Sequence, residues 1–515
     1  MTDGTFQVIA LAIYFIAMIV IGLWANSKNN DLDDYVLGGR QLSPTVAALS
    51  AGAADMSGWL LMGLPGVIYL SGLSKSDSWM AIGLTIGAWI NWKMIAPRLR
   101  SYTEVAGDAV TVPVFLSNRL HDKKNLLRIV SGIIILVFFT FYVSSGMVSG
   151  GKFFESSFHQ NYLTGMLLVA GITMFYTFFG GFMGASYTDM VQGLLMVTAL
   201  IAVPIVAVTN MGGANTVIDA IANTKPDALN LFAGTSIIGI ASALAWGLGY
   251  FGQPHIIVRF MALRTPEDAK AGRRIGMSWM VLTVLGAIST AFVGIAYFAT
   301  HPEASVTDKE KAETVFLDLA QILFHPFIAG MILAAVLAAI MSTLSSQLVV
   351  CSSALVEDLY NVFSKKKLTS NQSLWLGRIA VALVAVIATL MALDKNNSIL
   401  SLVEFAWAGF GSAFGPIVIL SLYWRKLTLP GALSSMLVGA VLTFFWRQVF
   451  NLTETIDVYE MIPGFFLAFL VTVVVSLSTY QKNDKIEQEF EEAANLAKLT
   501  TAGLPAKEEE QAAKA

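Results

Sequence analysis

The 515-residue sequence is poor in charge and has almost no cysteine. Only 13% of its residues are Asp, Glu, Lys or Arg, whereas 56% are hydrophobic, and the mean hydropathy is +0.67. A water-soluble domain of this length does not need so much apolar surface, so lipid is predicted to surround most of the chain. The single cysteine, Cys351, excludes a disulfide framework.

The sequence also lacks the motifs of metal-dependent and ATP-dependent proteins. Four of the five histidines fall in predicted loops or at span ends and His255 stands alone, so no metal-ligand set is predicted. The chain has no glycine-rich phosphate loop and no soluble ATPase domain. With a formal net charge of −3, no nucleic-acid partner is expected. Any pumping would therefore draw on an ion gradient.

Long apolar stretches recur along nearly the whole chain. At roughly 20 residues per crossing they predict about thirteen membrane-spanning helices. Loops on one side carry most of the basic residues, which predicts the N-terminus outside and the C-terminus in the cytoplasm, in the inner membrane. That side holds Lys28, Arg40, Arg98, Arg100, Arg119, Lys123, Lys124, Arg128, Arg259, Arg264, Lys270, Arg273, Arg274, Lys365, Lys366, Lys367, Arg425 and Lys426; the other holds Lys75, Lys225, Lys309, Lys311 and Lys395.

The second and seventh spans, near 45–72 and 234–258, are interrupted in the same manner. The second reads Ala-Gly-Ala-Ala-Asp-Met-Ser-Gly-Trp over 51–59, and the seventh reads Trp-Gly-Leu-Gly-Tyr-Phe-Gly-Gln-Pro-His over 246–255. Five helices apart, they cross in opposite directions, as an inverted repeat of five plus five helices requires. Unwound backbone survives at membrane depth only around a cavity, so matched interruptions predict a binding site.

Polar side chains near these interruptions are the candidate ion site. Asp55 lies within an apolar span, where a charge is costly without a compensating role, either beside a cation or as a cap of the second half-helix. The ninth span, near 327–360, places Ala339, Ser342 and Thr343 on one face. Hydroxyls and freed carbonyls suit Na⁺, although such hydroxyls also bond to their own backbone or serve packing.

Aromatic residues flank both interruptions. Trp59 follows the first, Tyr142 lies in the fourth span, and Trp246 and Tyr250 lie at the second. Such residues commonly face lipid or the core. Together at the breaks, they could enclose an apolar substrate ring.

Over roughly residues 5–480 the chain resembles the sodium/solute symporter family and, within it, the sodium/proline symporters. The resemblance rests on separate motifs. These are Val-Leu-Gly-Gly-Arg at 36–40, Leu-Ser-Ala-Gly-Ala at 49–53 with Asp-Met-Ser-Gly-Trp at 55–59, Gly-Gly-Phe at 180–182, residues 246–259, Met-Ser-Thr-Leu-Ser at 341–345 and Tyr-Glu-Met-Ile-Pro-Gly-Phe at 459–465. One departure is Ala54, where Ser is expected before the Asp.

The resemblance implies an all-α integral membrane protein with a five-plus-five inverted-repeat core that works by alternating access. It implies sodium-coupled uptake of L-proline, with Na⁺ as the co-transported ion. Implied Na⁺ ligands are the carbonyls of Ala53, Met56 and Ala339 and the hydroxyls of Ser342 and Thr343; implied substrate contacts are Ser57, Trp59, Gly63, Tyr142, Trp246, Tyr250 and Pro254. Arg40, Asp55 and Asp189 match positions that are implied to matter for coupling.

The predicted helices divide the chain into four segments. A first helix and loop (1–44) precede a ten-helix core (45–424), two peripheral helices (425–480) and a charged cytosolic tail (481–515). Three alternatives remain: a sodium symporter for pantothenate or another amino acid, a transport-like sensor, and an intramembrane enzyme. The enzyme lacks a nucleophile–base or metal set, and the sensor lacks a signalling domain. The sequence predicts no oligomeric state.

Overall fold

The computed structural model describes residues 3–27, 37–75, 78–301, 312–364, 369–394 and 398–502. These residues are helical apart from turns and one isolated bridge between Leu42 and Leu263. The first motif position, Val36, and residues 503–515 of the predicted tail lie outside the described residues. The all-α prediction is confirmed for the part of the chain that is described.

In chain order the helices are α1 (Asp3–Asn26), α2 (Pro44–Asp55), α3 (Trp59–Ser71), α4 (Trp79–Ile90, continued by Asn91–Ile95 and Ala96–Val105), α5 (Val112–Arg119), α6 (Leu126–Phe158), α7 (Tyr162–Asn210), α8 (Ala214–Thr224), α9 (Ile237–Gly252), α10 (Pro254–Met261), α11 (Asp268–Thr300), α12 (Val315–Leu323), α13 (Pro326–Phe363), α14 (Ser370–Met391), α15 (Ile399–Tyr423), α16 (Leu429–Val449), α17 (Leu452–Ile456), α18 (Met461–Thr479) and α19 (Asp484–Ala502). Within the described ranges, nine helices are long and apolar enough to span a membrane, or ten with α2 and α3 taken as one bent span. The count of thirteen stays a prediction.

Helix α7 joins two segments that the sequence predicts as separate spans. It runs for 49 residues, roughly 75 Å at the usual rise, which exceeds one crossing. Gly181 interrupts it with φ 57° and ψ −152°, a conformation that glycine adopts without steric cost. The predicted loop over 181–187 is thus a kink at one residue, with helix on both sides.

Both predicted interruptions are present. Helices α2 and α3 meet at an angle of 60°, and Met56 leaves helical geometry with φ −82° and ψ 77°. Helix α9 tightens into a 3₁₀ turn over Ala245–Gly252, after which Gln253 is extended with φ −80° and ψ 105°. Pro254 then starts α10, a position where its missing N–H costs nothing.

Helices α13 and α15 form the centre of the bundle, and α1, α14 and α18 lie at its periphery. We call the end that carries Arg40, the last turns of α13 and α19 the tail face. The opposite end, where α3 ends and α9 and α15 begin, is the vestibule face. Helix α5 packs into the bundle through the buried side chains of Val112, Phe115 and Leu116.

Candidate functional site

The break between α2 and α3 is held by its own side chains. The Met56 N–H donates to the Gly52 carbonyl at 2.9 Å and completes the last turn of α2. The Trp59 indole donates to the Asp55 carbonyl at 3.3 Å, and the Ser57 hydroxyl accepts from the Trp59 N–H at 3.4 Å. Trp59 therefore lies folded back over the break, where it is fully buried.

Four oxygens of the predicted ion site come together between α2 and α13. The Ser342 hydroxyl donates to the Ala53 carbonyl at 2.7 Å and lies 3.1 Å from the Ala339 carbonyl. The Thr343 hydroxyl lies 3.5 Å from the first carbonyl and 3.3 Å from the second. Hydroxyl and carbonyl oxygens are the hard donors that a small cation prefers. Met56, the fifth predicted ligand, is the buried residue at which α2 ends.

Asp55 is the point where three parts of the chain meet. Its Oδ2 accepts a hydrogen bond from the Tyr250 hydroxyl of α9, and its carbonyl lies 3.4 Å from the Tyr142 hydroxyl of α6. Its Oδ1 is buried and has no hydrogen-bond partner among the described residues. Buried carboxylate oxygens are normally paired, so this atom is available to a cationic ligand.

An aromatic stack covers this group toward the vestibule face. Trp246 lies nearly parallel to Tyr459, with ring centroids 5.5 Å apart, and to Trp407, at 6.4 Å. The Trp407 indole donates to the Trp246 carbonyl at 2.8 Å, and its ring meets Tyr250 edge-on. Sequence reasoning missed Trp407, because an isolated Trp in an apolar span carries no local signal; Tyr459 stood in a quoted motif without a role.

Two predicted substrate residues have other neighbours. A Cβ on Gly63 would meet only ordinary contacts, at 3.5 Å from the Trp59 Cβ and 3.8 Å from the Leu400 Cβ. Pro254 lines a small cavity toward the tail face together with Thr111 and Asp358. No hydrogen bond or ring contact in the described structure joins either residue to Asp55.

Asp189 forms a second buried polar cluster, about one helical turn from the first. Its Oδ2 accepts from Ser50 at 2.8 Å, from Ser346 at 3.3 Å and from the Arg259 guanidinium at 3.1 Å. Arg259 is fully buried and also donates to Ser50 at 3.0 Å. The sequence reading of Arg259 as a loop cation is therefore wrong, because it neutralises an acid inside the bundle.

Arg40 closes the tail face and does not reach either cluster. Its guanidinium donates to Thr103 at 3.0 Å, to the Met261 carbonyl at 2.9 Å and to the Ala109 carbonyl at 2.8 Å, and it pairs with Asp108 at 2.8 Å. Burial lowers the pKa of Arg40, and nearby Arg100 lowers it further, whereas the two acids beside it raise it. Arg40 thus joins α10, the end of α4 and the loop before α5.

The vestibule face instead contains a cavity of about 690 Å³. Its floor includes Trp246 and Tyr459. Two ion pairs line its walls: Lys152 with Glu313 at 3.0 Å, and Arg447 with Glu404 at 3.5 Å. The aromatic stack thus separates an open, charged vestibule from the Asp55 group.

Comparison with known proteins places this geometry in a family. A model of the sodium:solute symporter family matches residues 35–439. The chain belongs to the sodium:solute symporter family. It is therefore a membrane transporter that couples a solute to sodium, and not an enzyme. No cluster of His, Cys, Asp and Glu that could hold a resident metal occurs in the described part of the chain.

Several curated relatives of this symporter are similar over nearly their whole length. The high-affinity proline transporter PutP of Bacillus subtilis is 52% identical over 92% of this chain and 98% of its own. The sodium/proline symporter of Escherichia coli is 46% identical over 96% of this chain and 97% of its own. These relatives confirm the predicted subfamily resemblance.

Solved structures show the same fold at low identity. A Na⁺-coupled sialic acid symporter, in a substrate-bound outward-open state, aligns with a TM-score of 0.77 at 16% identity, covering 94% of this chain and 100% of its own. MhsT in complex with L-phenylalanine aligns with a TM-score of 0.51 at 14% identity, covering 84% and 98%. The likeness confirms the predicted fold class of sodium-symporter-like helix bundles.

Proposed function

We propose that this symporter carries L-proline together with Na⁺ into the cell across the cytoplasmic membrane. The observation that carries the proposal is the oxygen cluster between α2 and α13, where the Ser342 hydroxyl lies 2.7 Å from the carbonyl freed at the α2 break. The names of the curated relatives, a proline transporter and a sodium/proline symporter, supply the substrate.

Na⁺ binds between the two hydroxyls and the carbonyls to which those hydroxyls now donate. Rotation of Ser342 and Thr343 turns their lone pairs toward the ion, and the carbonyls of Ala53, Met56 and Ala339 complete the shell. Because these groups belong to α2 and α13, ion binding ties the broken helix to the central one. It thereby fixes Asp55 and Ser57 at the break, where the substrate binds.

The substrate site is the group around Asp55. The free Oδ1 of Asp55 attracts the secondary ammonium of proline, and Trp59, Tyr142, Trp246 and Tyr250 enclose its apolar ring. Ser57 and Gly63 line the same break. We assign Arg40 and Pro254 to closure of the tail face, in keeping with their neighbours, and Asp189 to the pathway beneath the ion site.

The tail face is assigned to the cytoplasm and the vestibule face to the outside, because basic loops are retained in the cytoplasm. The core is residues 45–424, with 1–44, 425–480 and 481–515 as peripheral parts. Substrate and Na⁺ bind from the vestibule, and tilting of the core releases them at the tail face. One Na⁺ crossing about 100 mV contributes roughly 2.3 kcal/mol, and a tenfold gradient about 1.4 more, enough for accumulation of several hundredfold.

Uptake of radiolabelled L-proline into proteoliposomes tests the proposal. An inward Na⁺ gradient should drive accumulation, and an equal K⁺ gradient should not. A competition panel of amino acids and pantothenate separates proline from the alternative solutes. If a folded preparation takes up no proline under any cation, the substrate assignment is wrong.

A further inference from the structure

The helix that carries Ser342 and Thr343 continues toward the tail face and ends in an irregular segment. Over Ala354–Tyr360 its hydrogen bonds widen to the π-helical pattern, which often marks functional sites. Asp358 lies in this segment and is fully buried. It is roughly 20 Å along the helix from Thr343 at the usual rise per residue.

The Asp358 carboxylate is only half satisfied. Its Oδ1 accepts a hydrogen bond from the Thr111 hydroxyl at 3.2 Å and lies 3.6 Å from the Arg128 Nε. Its Oδ2 is buried and has no hydrogen-bond partner in the residues that the structure describes. An acid that only anchored α5 to α13 would be expected to have both oxygens paired.

The Arg128 guanidinium does not satisfy this acid. It is shared between Asp358 Oδ1, 3.6 Å from its Nε, and Glu357, whose Oε2 lies 3.7 Å from its terminal nitrogen. Both contacts leave Asp358 Oδ2 unpaired, so this buried oxygen is the one that a monovalent cation would contact.

A cavity of about 20 Å³ lies against this acid. That space suffices for one small ligand of the size of a water molecule or a dehydrated cation. Thr111, Ser353 and Asp358 supply its polar lining. Pro254 and Val258 of α10 line the same cavity, so it lies between the central helix and the half-helix that follows the second break.

From this geometry we infer that Asp358, with the hydroxyls of Thr111 and Ser353, forms a release site for Na⁺ on its way from the α2–α13 cluster to the tail face. The site takes a monovalent cation through oxygen donors and one carboxylate. It rests on the proposed Na⁺ coupling and adds a second station to it. Loss of the carboxylate should slow Na⁺ dissociation and leave alternation of the fully loaded carrier intact.

Two transport modes in proteoliposomes separate these steps. Net proline uptake requires Na⁺ to leave at the tail face, whereas proline–proline exchange with saturating Na⁺ on both sides does not. In Asp358→Asn, net uptake should fall about tenfold while exchange stays within about twofold of the unsubstituted protein. Asp358→Glu should recover most of the net uptake, and Asp219→Asn, at an exposed acid of α8, should change neither.

Ser353→Ala is the second variant should Asp358→Asn fold poorly, because the bond that this hydroxyl makes among the described residues stays within its own helix, at the Val350 carbonyl. It should reduce net uptake about threefold, with exchange preserved. Equal loss of uptake and exchange would mark Asp358 as a structural tie and overturn the release site, as would unchanged net uptake. Absence of Na⁺-driven uptake by the unsubstituted protein would instead refute the proposed function itself.

Discussion

The two ends of the bundle are built differently around the same central site. At the vestibule face, two ion pairs line a cavity of about 690 Å³ that ends at the aromatic stack of Trp246 and Tyr459. At the tail face, Arg40 bonds to three separate segments, and a further helix, α19, covers the end of α4. The difference indicates that specific polar contacts close the tail face, whereas the helices of the vestibule face surround an open cavity.

The centre should be more sensitive to substitution than either end. Asp55→Asn removes the charge but keeps the size of the side chain that Tyr250 contacts, and we expect proline uptake to fall at least about a hundredfold. Radiolabelled uptake at matched protein levels measures this. Asp227→Asn, at an exposed loop acid of the vestibule face, is the control; equal effects of the two substitutions would show that Asp55 has no special role.

The tail face should depend on Arg40 more than the vestibule face depends on Arg447. Arg40→Ala removes four polar contacts at once, so the face should open and uptake should fall about tenfold. Arg40→Lys should recover little, because a single ammonium cannot replace a forked guanidinium. Arg447→Ala removes two contacts at the wall of an open cavity, the pair with Glu404 and a 2.9 Å hydrogen bond to Ser401, and should change uptake by less than about threefold.

Labelling of a single cysteine tests whether Arg40→Ala opens the tail face. In a Cys351→Ala background, Ser353→Cys places the only cysteine in the small cavity beneath the tail face. Its labelling should be slow in otherwise unsubstituted protein and faster when Arg40→Ala is added. Labelling that is equally slow in both would show that Arg40 does not hold this face closed.

The smallest effect is expected at the tail helix. Phe490 of α19 is buried against the Tyr102 ring, with centroids 6.1 Å apart, and beneath the Arg119 guanidinium at 5.3 Å. Phe490→Ala should release the helix, with faster limited proteolysis after α18 and a fall of a few degrees in the melting temperature. Phe232→Ala, at an exposed ring of the vestibule face, should leave both unchanged; the same loss in both variants would contradict specific docking of α19.

Local sequence pattern is sufficient for the parts of the site that depend on backbone interruption. Gly and Pro clusters place the breaks near Met56 and Gln253 because those residues weaken a helix wherever it lies. Hydroxyl spacing places Ser342 and Thr343 on one face for the same local reason. The roles of these residues in ion and substrate binding stay predictions, as do the segment boundaries.

Local sequence pattern could not predict features that depend on contacts between residues far apart in the chain. Arg259 follows an apolar run and resembles any loop cation, yet it meets Asp189 from 70 residues away. Trp407 becomes part of the site only because α15 packs beside the second break. The sequence predicts only a charged tail after residue 480, because the Arg119 and His121 contacts that hold α19 in place come from the end of α5 and the residues after it.

The most direct measurement is the Na⁺ dependence of proline uptake in a Ser342→Ala/Thr343→Ala variant. Its matched control is Thr198→Ala/Ser478→Ala, at two exposed hydroxyls that bond to carbonyls of their own helices, those of Leu194 and Val475. We expect the half-saturating Na⁺ concentration to rise at least about tenfold in the first variant and to stay unchanged in the second. An unchanged Na⁺ dependence in the first variant would contradict the claim that the α2 break and α13 together bind the ion.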